Sequence, residues 1–139
     1  MTGLEEARRW LQAAEDDLRF ARFAADGEFF AQACFFAQQA AEKAVKAVHY
    51  AGGARAILGH SVRGLIERLG KRAPEIAALL DDARQLDLYY VPTRYPNGLE
   101  EGTPAEAFSR TQAGRALESA AAIVTAAGKQ VGARPPAPG

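Results

Sequence analysis

Small and medium apolar residues recur along this chain in steps of three and four, and that spacing leaves little choice of architecture. Leu4, Ala7, Leu11, Ala14, Leu18, Ala21 and Ala25 fall on one stripe of a helix. It is expected to run from about Gly3 to Asp26, with Thr2 and Glu5 as a capping box at its start and Gly27 ending it. Phe30, Cys34, Ala37, Ala41, Ala44 and Val48 repeat the spacing over about Glu28 to Ala51, where Gly52-Gly53 supplies a stop that tolerates the left-handed conformation. The link between these helices is short, which predicts an antiparallel pair.

Further along, Ser61 is the expected N-cap of a short third helix whose Val62, Leu65, Ile66 and Leu69 share a face. Pro74 suits the first turn of a fourth, with Ile76, Leu79, Leu80, Ala83 and Leu86 inward. Thr103-Pro104-Ala105-Glu106 combines an N-cap, a proline at the first helical position and a capping-box glutamate. A last helix is therefore predicted from there, with Ala113, Leu117, Ala120 and Val124 as its stripe. No segment alternates apolar and polar residues over strand lengths, so the fold class is all-α, a bundle of four or five helices over residues 1–128. Residues 129–139, rich in proline and glycine, are expected to form a flexible tail.

With 139 residues, 48% apolar and 24% charged, the chain fits one domain around one core. Glu15, Asp16 and Asp17 soon follow Arg8 and Arg9, so the start offers no apolar segment for a signal peptide. No run approaches the length needed to cross a bilayer. The lone Cys34 allows neither an internal disulfide nor a cysteine-based metal site, and a cytoplasmic location is expected. Net charge is zero but uneven: residues 28–72 carry seven basic against three acidic side chains. That balance suits a phosphate-bearing partner yet falls well short of a dedicated nucleic-acid binder. Trp10, Phe20, Phe23, Phe29, Phe35 and Phe36 lie partly outside the narrow stripes, so they either widen the core or meet a second copy in a homodimer.

The segment from Leu86 to Gly98 stands apart, with Tyr89, Tyr90 and Tyr95 beside Arg94, and Pro92 and Pro96 opposing a regular helix. Arginine among aromatic rings suits a nucleotide: the guanidinium pairs with phosphate and a ring stacks on the base. The same tyrosines would equally pin the loop to the bundle through their hydroxyls. On the second helix, Gln39, Lys43, Lys46 and Tyr50 form a polar stripe whose lysines are candidates for holding phosphate, or form a solvated face with Glu42 and Lys46 as an i,i+4 pair. His60 precedes the third helix, where an imidazole and free backbone N–H groups meet an anion or where it merely caps.

Catalytic signals are missing. Ser61, Ser109 and Ser119 lack a nucleophile elbow, Cys34 sits on a predicted core face, and neither a P-loop nor a dinucleotide fingerprint is present. His49 has no partner at metal-ligand spacing, so no metal and no cofactor are expected.

Three ordered motifs, Ala33-Cys34-Phe35-Phe36-Ala37-Gln38-Gln39-Ala40-Ala41-Glu42-Lys43-Ala44-Val45-Lys46-Ala47, Gly59-His60-Ser61-Val62-Arg63 and Tyr89-Tyr90-Val91-Pro92-Thr93-Arg94-Tyr95-Pro96, together resemble the HEPN domain family. The resemblance implies an up-and-down helical bundle, often homodimeric and proposed to bind nucleotides, in prokaryotes often paired with a minimal nucleotidyltransferase and at times acting as toxin and antitoxin. Arg94, Tyr90, Tyr95, Lys43, Lys46 and His60 become the candidate ligand-binding residues, with ATP or GTP as the nucleotide. Many members are metal-independent ribonucleases built on an arginine followed shortly by a histidine in the later part of the bundle. Here no histidine follows Arg94; Arg55 and His60 have that spacing but fall in the loop before the third helix. The expected role is a non-catalytic nucleotide-binding partner of a nucleotidyltransferase. A ribonuclease toxin and a purely structural interaction module are the alternatives.

Overall fold

The computed structural model describes residues 2–132. Seven α-helices and no strands occur among them: α1 Gly3–Asp26, α2 Phe30–Ala51, α3 Val62–Leu69, α4 Pro74–Ala77, α5 Leu80–Asp87, α6 Pro104–Ala107 and α7 Arg110–Gly132. None is long and apolar enough to cross a membrane. The chain is an all-α bundle in which α2 is the central rod, packed against α1, α7, α3, α5 and α6.

Helix α1 begins with the anticipated capping box, Thr2 accepting from Glu5 N and Glu5 accepting from Thr2 N. It ends at Asp26 with Gly27 as its C-cap, as expected. Gly27 keeps φ −83°, and Glu28 takes the left-handed turn at φ +66° while Phe29 N donates to Ala24 O at 2.8 Å. Glu28 is therefore outside α2. Contacts of Phe20 with Phe36 and of Trp10 with Tyr50 establish that α1 and α2 are antiparallel. At their far end a Cβ on Gly3 would lie 2.7 Å from Tyr50 O, so only glycine permits this approach.

Alanine builds the seams. Ala7, Ala14 and Ala21 of α1, Ala37, Ala41 and Ala44 of α2, and Ala113, Ala116 and Ala120 of α7 are essentially inaccessible. Short side chains let the rods approach closely, while Leu65, Ile66, Ile76, Leu86 and Ile123 supply the bulk of the core. After α2 the connection 52–61 doubles back along the same helix, since the His60 carbonyl reaches Gln38 and the Leu65 carbonyl reaches His49. Helix α3 thus runs parallel to α2, and α5 climbs antiparallel to α3 toward the tyrosine segment.

Several expectations need correction. The single fourth helix is two, broken at Leu79, whose φ −102°, ψ 21° leaves helical space; Leu79 itself is only partly buried. The tyrosine segment is not wholly irregular: Leu86 and Asp87 finish α5, and Pro96–Gly98 is a 3₁₀ turn. The last helix does not start at Thr103. Proline and glutamate support only the four-residue α6; Phe108 then turns extended and packs edge-on against Tyr89, with ring centroids 5.9 Å apart. A second capping box restarts the chain, Ser109 N donating to Gln112 Oε1 and Gln112 N to Ser109 Oγ. Helix α7 continues to Gly132, into the stretch expected as tail, and the remaining tail residues, 133–139, lie outside the described residues.

Candidate functional site

Between α5 and α6 the chain makes successive turns, with Arg94 N and Tyr95 N both donating to Val91 O. Buried Thr93 donates its hydroxyl to Tyr89 O, and Gly98 passes so close to Val91 and Pro92 that a Cβ would sit 3.1 Å from each. These local ties set the direction of the neighbouring side chains. Arg94 Nε donates to Tyr90 O at 3.1 Å. Its guanidinium carbon lies 4.5 Å from the Tyr90 ring centroid, 4.9 Å from that of Phe35 on α2 and 5.1 Å from that of Tyr95. The terminal nitrogens of Arg94 have no partner among the described residues.

His60 stacks on the same Tyr90 ring, centroids 4.8 Å apart and planes 16° from parallel. Its Nδ1 is 3.2 Å and 3.3 Å from the two carboxylate oxygens of Glu42. Glu42 is buried and also accepts from Lys46 Nζ at 3.1 Å and Gln38 Nε2 at 3.3 Å; Gln38 in turn donates to His60 O at 3.0 Å. Lys46 is buried as well, with its ammonium over Trp10. The buried carboxylate is surrounded by donors in place of water, and each donor fixes a different part of the site.

Four of the six sequence candidates, Arg94, Tyr90, Tyr95 and His60, are brought together in this way. Lys46 joins them only through Glu42, and Lys43 is engaged by Asp17 of α1 at 2.5 Å. The stripe read as a solvated face is thus buried at Lys46, with its partner Glu42, and partly buried at Gln39, Lys43 and Tyr50. The expected backbone anion site after His60 is filled from within: Asp87 accepts from Val62 N, Arg63 N and Ser61 Oγ at 2.7–3.1 Å. Phe35, Gln38 and Glu42 are the contributors that sequence reasoning missed. For Gln38 and Glu42 the signal was polar residues in a helix otherwise apolar nearly all round, and for Phe35 its place outside the apolar stripe.

Elsewhere the chemistry is subdued. Burial pushes the Cys34 thiol up to about 12, which suppresses the reactive thiolate. His49 is buried, its Nε2 donating to Leu65 O at 2.9 Å, and burial lowers its pKa from 6.5. No group of three or more metal-capable side chains occurs among the described residues. Arg55 lines a cavity with Thr2, Gly3 and Tyr50 where α1 begins and α2 ends, apart from the His60–Tyr90 stack.

A helical bundle of this shape, with an arginine and aromatic rings gathered on one flank, is the class that fold and site define. The HEPN domain description matches residues 7–130, and the chain belongs to that family. It is similar to TT1696 from Thermus thermophilus, at 38% identity, TM-score 0.85, covering 90% of this chain and 98% of that one. It is also similar to ST0689, an archaeal HEPN homologue, at 35% identity and TM-score 0.75, covering 91% of this chain and 98% of the other. A HEPN domain protein from Thermotoga maritima shares 34% identity with TM-score 0.71, covering 91% and 99%. No curated protein matches the chain.

Proposed function

We propose that this HEPN bundle is a cytoplasmic nucleotide-binding protein that works as a homodimer beside a minimal nucleotidyltransferase, in a regulatory or toxin–antitoxin-like pair, without catalysis of its own. The observation that carries the binding role is the state of Arg94. Its position is set by three rings and a carbonyl while its terminal nitrogens have no hydrogen-bond partner among the described residues. A guanidinium held so has little freedom left to lose and presents two donors to a phosphate. Tyr95, half exposed, meets Arg94 but no ring among the described residues and is the ring available to a base, since Tyr90 already meets His60 and Phe35 besides Arg94. Calorimetric titration with ATP and GTP tests this; absence of saturable heat with both contradicts it.

The dimer is supported by where exposed apolar side chains gather. A continuous run of ring contacts links Phe23, Phe20, Phe36, Phe35 and Tyr90, and Phe20 and Phe23 are 46% and 74% exposed. Light scattering is expected to give twice the monomer mass, and Phe20→Ser with Phe23→Ser to halve it. A monomeric mass in the wild-type protein at micromolar concentration removes the dimer. Co-purification with a co-expressed minimal nucleotidyltransferase tests the pairing, and separate elution of two folded proteins counts against it.

A further inference from the structure

We propose that the site reads the sugar of its ligand as well as the phosphate: Glu42 sets the His60 imidazole so that Nε2 accepts a hydrogen bond from a ribose hydroxyl, making the bundle selective for ribonucleotides over deoxyribonucleotides. This deepens the nucleotide reading and rests on Arg94 as the phosphate anchor.

The orientation follows from the neighbours of Glu42. Its carboxylate is 5% exposed, whereas the His60 side chain facing it is 58% exposed, so the imidazole bridges interior and solvent. Lys46 and Gln38 already donate to that carboxylate, and a carboxylate offers His60 only acceptors. Nδ1 must therefore carry the hydrogen it shares with Glu42, which in the neutral ring leaves the lone pair on Nε2. That nitrogen has no partner among the described residues. The ring has little room to turn, because Tyr90 covers it and Gln38 holds the His60 carbonyl. Glu42 is in this sense a positioning residue, acting through His60.

The choice of a sugar hydroxyl follows from the spacing. Arg94 and His60 lie against one ring, 4.5 Å and 4.8 Å from its centre, so they are separated by about 9 Å at the most, the two distances laid end to end. A single nucleotide covers that span. With phosphate on Arg94 and base on Tyr95, the remaining part of the ligand is the sugar, whose hydroxyls are donors that a lone pair can take. A deoxyribonucleotide keeps the phosphate contact and forfeits this one.

The test is calorimetry at pH 8 with ATP, 2′-deoxy-ATP and 3′-deoxy-ATP, on wild type, His60→Phe and Arg94→Ala. Wild type is expected to favour ATP over at least one deoxy analogue by roughly three- to tenfold, the usual worth of one hydrogen bond. His60→Phe keeps a ring on Tyr90 without the acceptor and is expected to bind all three alike. Nitrogen-15 shifts of the wild-type ring check the tautomer that Glu42 imposes, Nδ1 protonated and Nε2 bare, and a change at Nε2 on adding ATP is the readout that a merely structural histidine would not give. Equal affinity of wild type for the three nucleotides, preference surviving in His60→Phe, or a bare Nδ1 overturns the sugar reading alone. ATP binding that ignores Arg94→Ala overturns the nucleotide site beneath it.

Discussion

Asp87, the last residue of α5, caps α3 from across the bundle by taking Val62 N on one carboxylate oxygen and Ser61 Oγ on the other, at 2.7 Å and 2.8 Å. The contact joins two parts of the site, since His60 directly precedes Ser61 and the tyrosine segment directly follows Asp87. Replacing Asp87 by Ala removes the carboxylate from a charge-assisted cap and is expected to cost about 2–3 kcal/mol, read as a lower urea midpoint with unchanged slope. A loss under about 0.5 kcal/mol would mean that water replaces the carboxylate without penalty.

Glu28 holds φ +66° with a side chain that resists that conformation and makes an exposed ion pair to Arg110 at 2.7 Å. Exposed pairs contribute little, whereas glycine adopts this backbone freely. Glu28→Gly is therefore expected to leave stability unchanged or raise it by up to about 1 kcal/mol. Thermal unfolding checks the sign, and a loss of more than about 1 kcal/mol would show that the Arg110 pair dominates.

His49 makes folding sensitive to mild acid. Burial lowers its folded-state pKa below the ordinary 6.5, with Arg72 and Arg68 adding to that direction and the bond to Leu65 opposing it. Below about pH 6.5 the unfolded chain takes up a proton that the folded chain refuses. Stability is thus fully present above that pH and falls as pH drops toward the folded value. Urea midpoints at pH 7.5 and 5.5 are expected to differ more in wild type than in His49→Gln; equal differences would place the acid sensitivity elsewhere.

Helices α1 and α2 were legible in the sequence because their stripes repeat without interruption. The break between α6 and α7 was not, because Thr103-Pro104-Ala105-Glu106 and Ser109-Arg110-Thr111-Gln112 are two capping signals six residues apart. The first is the more complete locally, and Phe108 decides between them by leaving the helix to pack on Tyr89. For the site, composition singled out Arg94 and its tyrosines. Glu42 and Lys46 read as a solvated pair because i,i+4 spacing looks alike on an exposed face and an interior one; Glu42 is covered by His60 after the doubling back of 52–61 and Lys46 lies against Trp10 of α1, neither of which periodicity encodes.

Arg94 as the anchor of a nucleotide phosphate is tested most directly by titrating ATP and GTP into wild type and Arg94→Ala at low ionic strength. Loss of a charge-assisted bond to phosphate is expected to weaken binding by about 1.5–3 kcal/mol, a factor on the order of ten to a hundred in Kd, with the fold intact by circular dichroism. Equal affinities in the two proteins would contradict it and return the Arg94 cluster to a purely structural role.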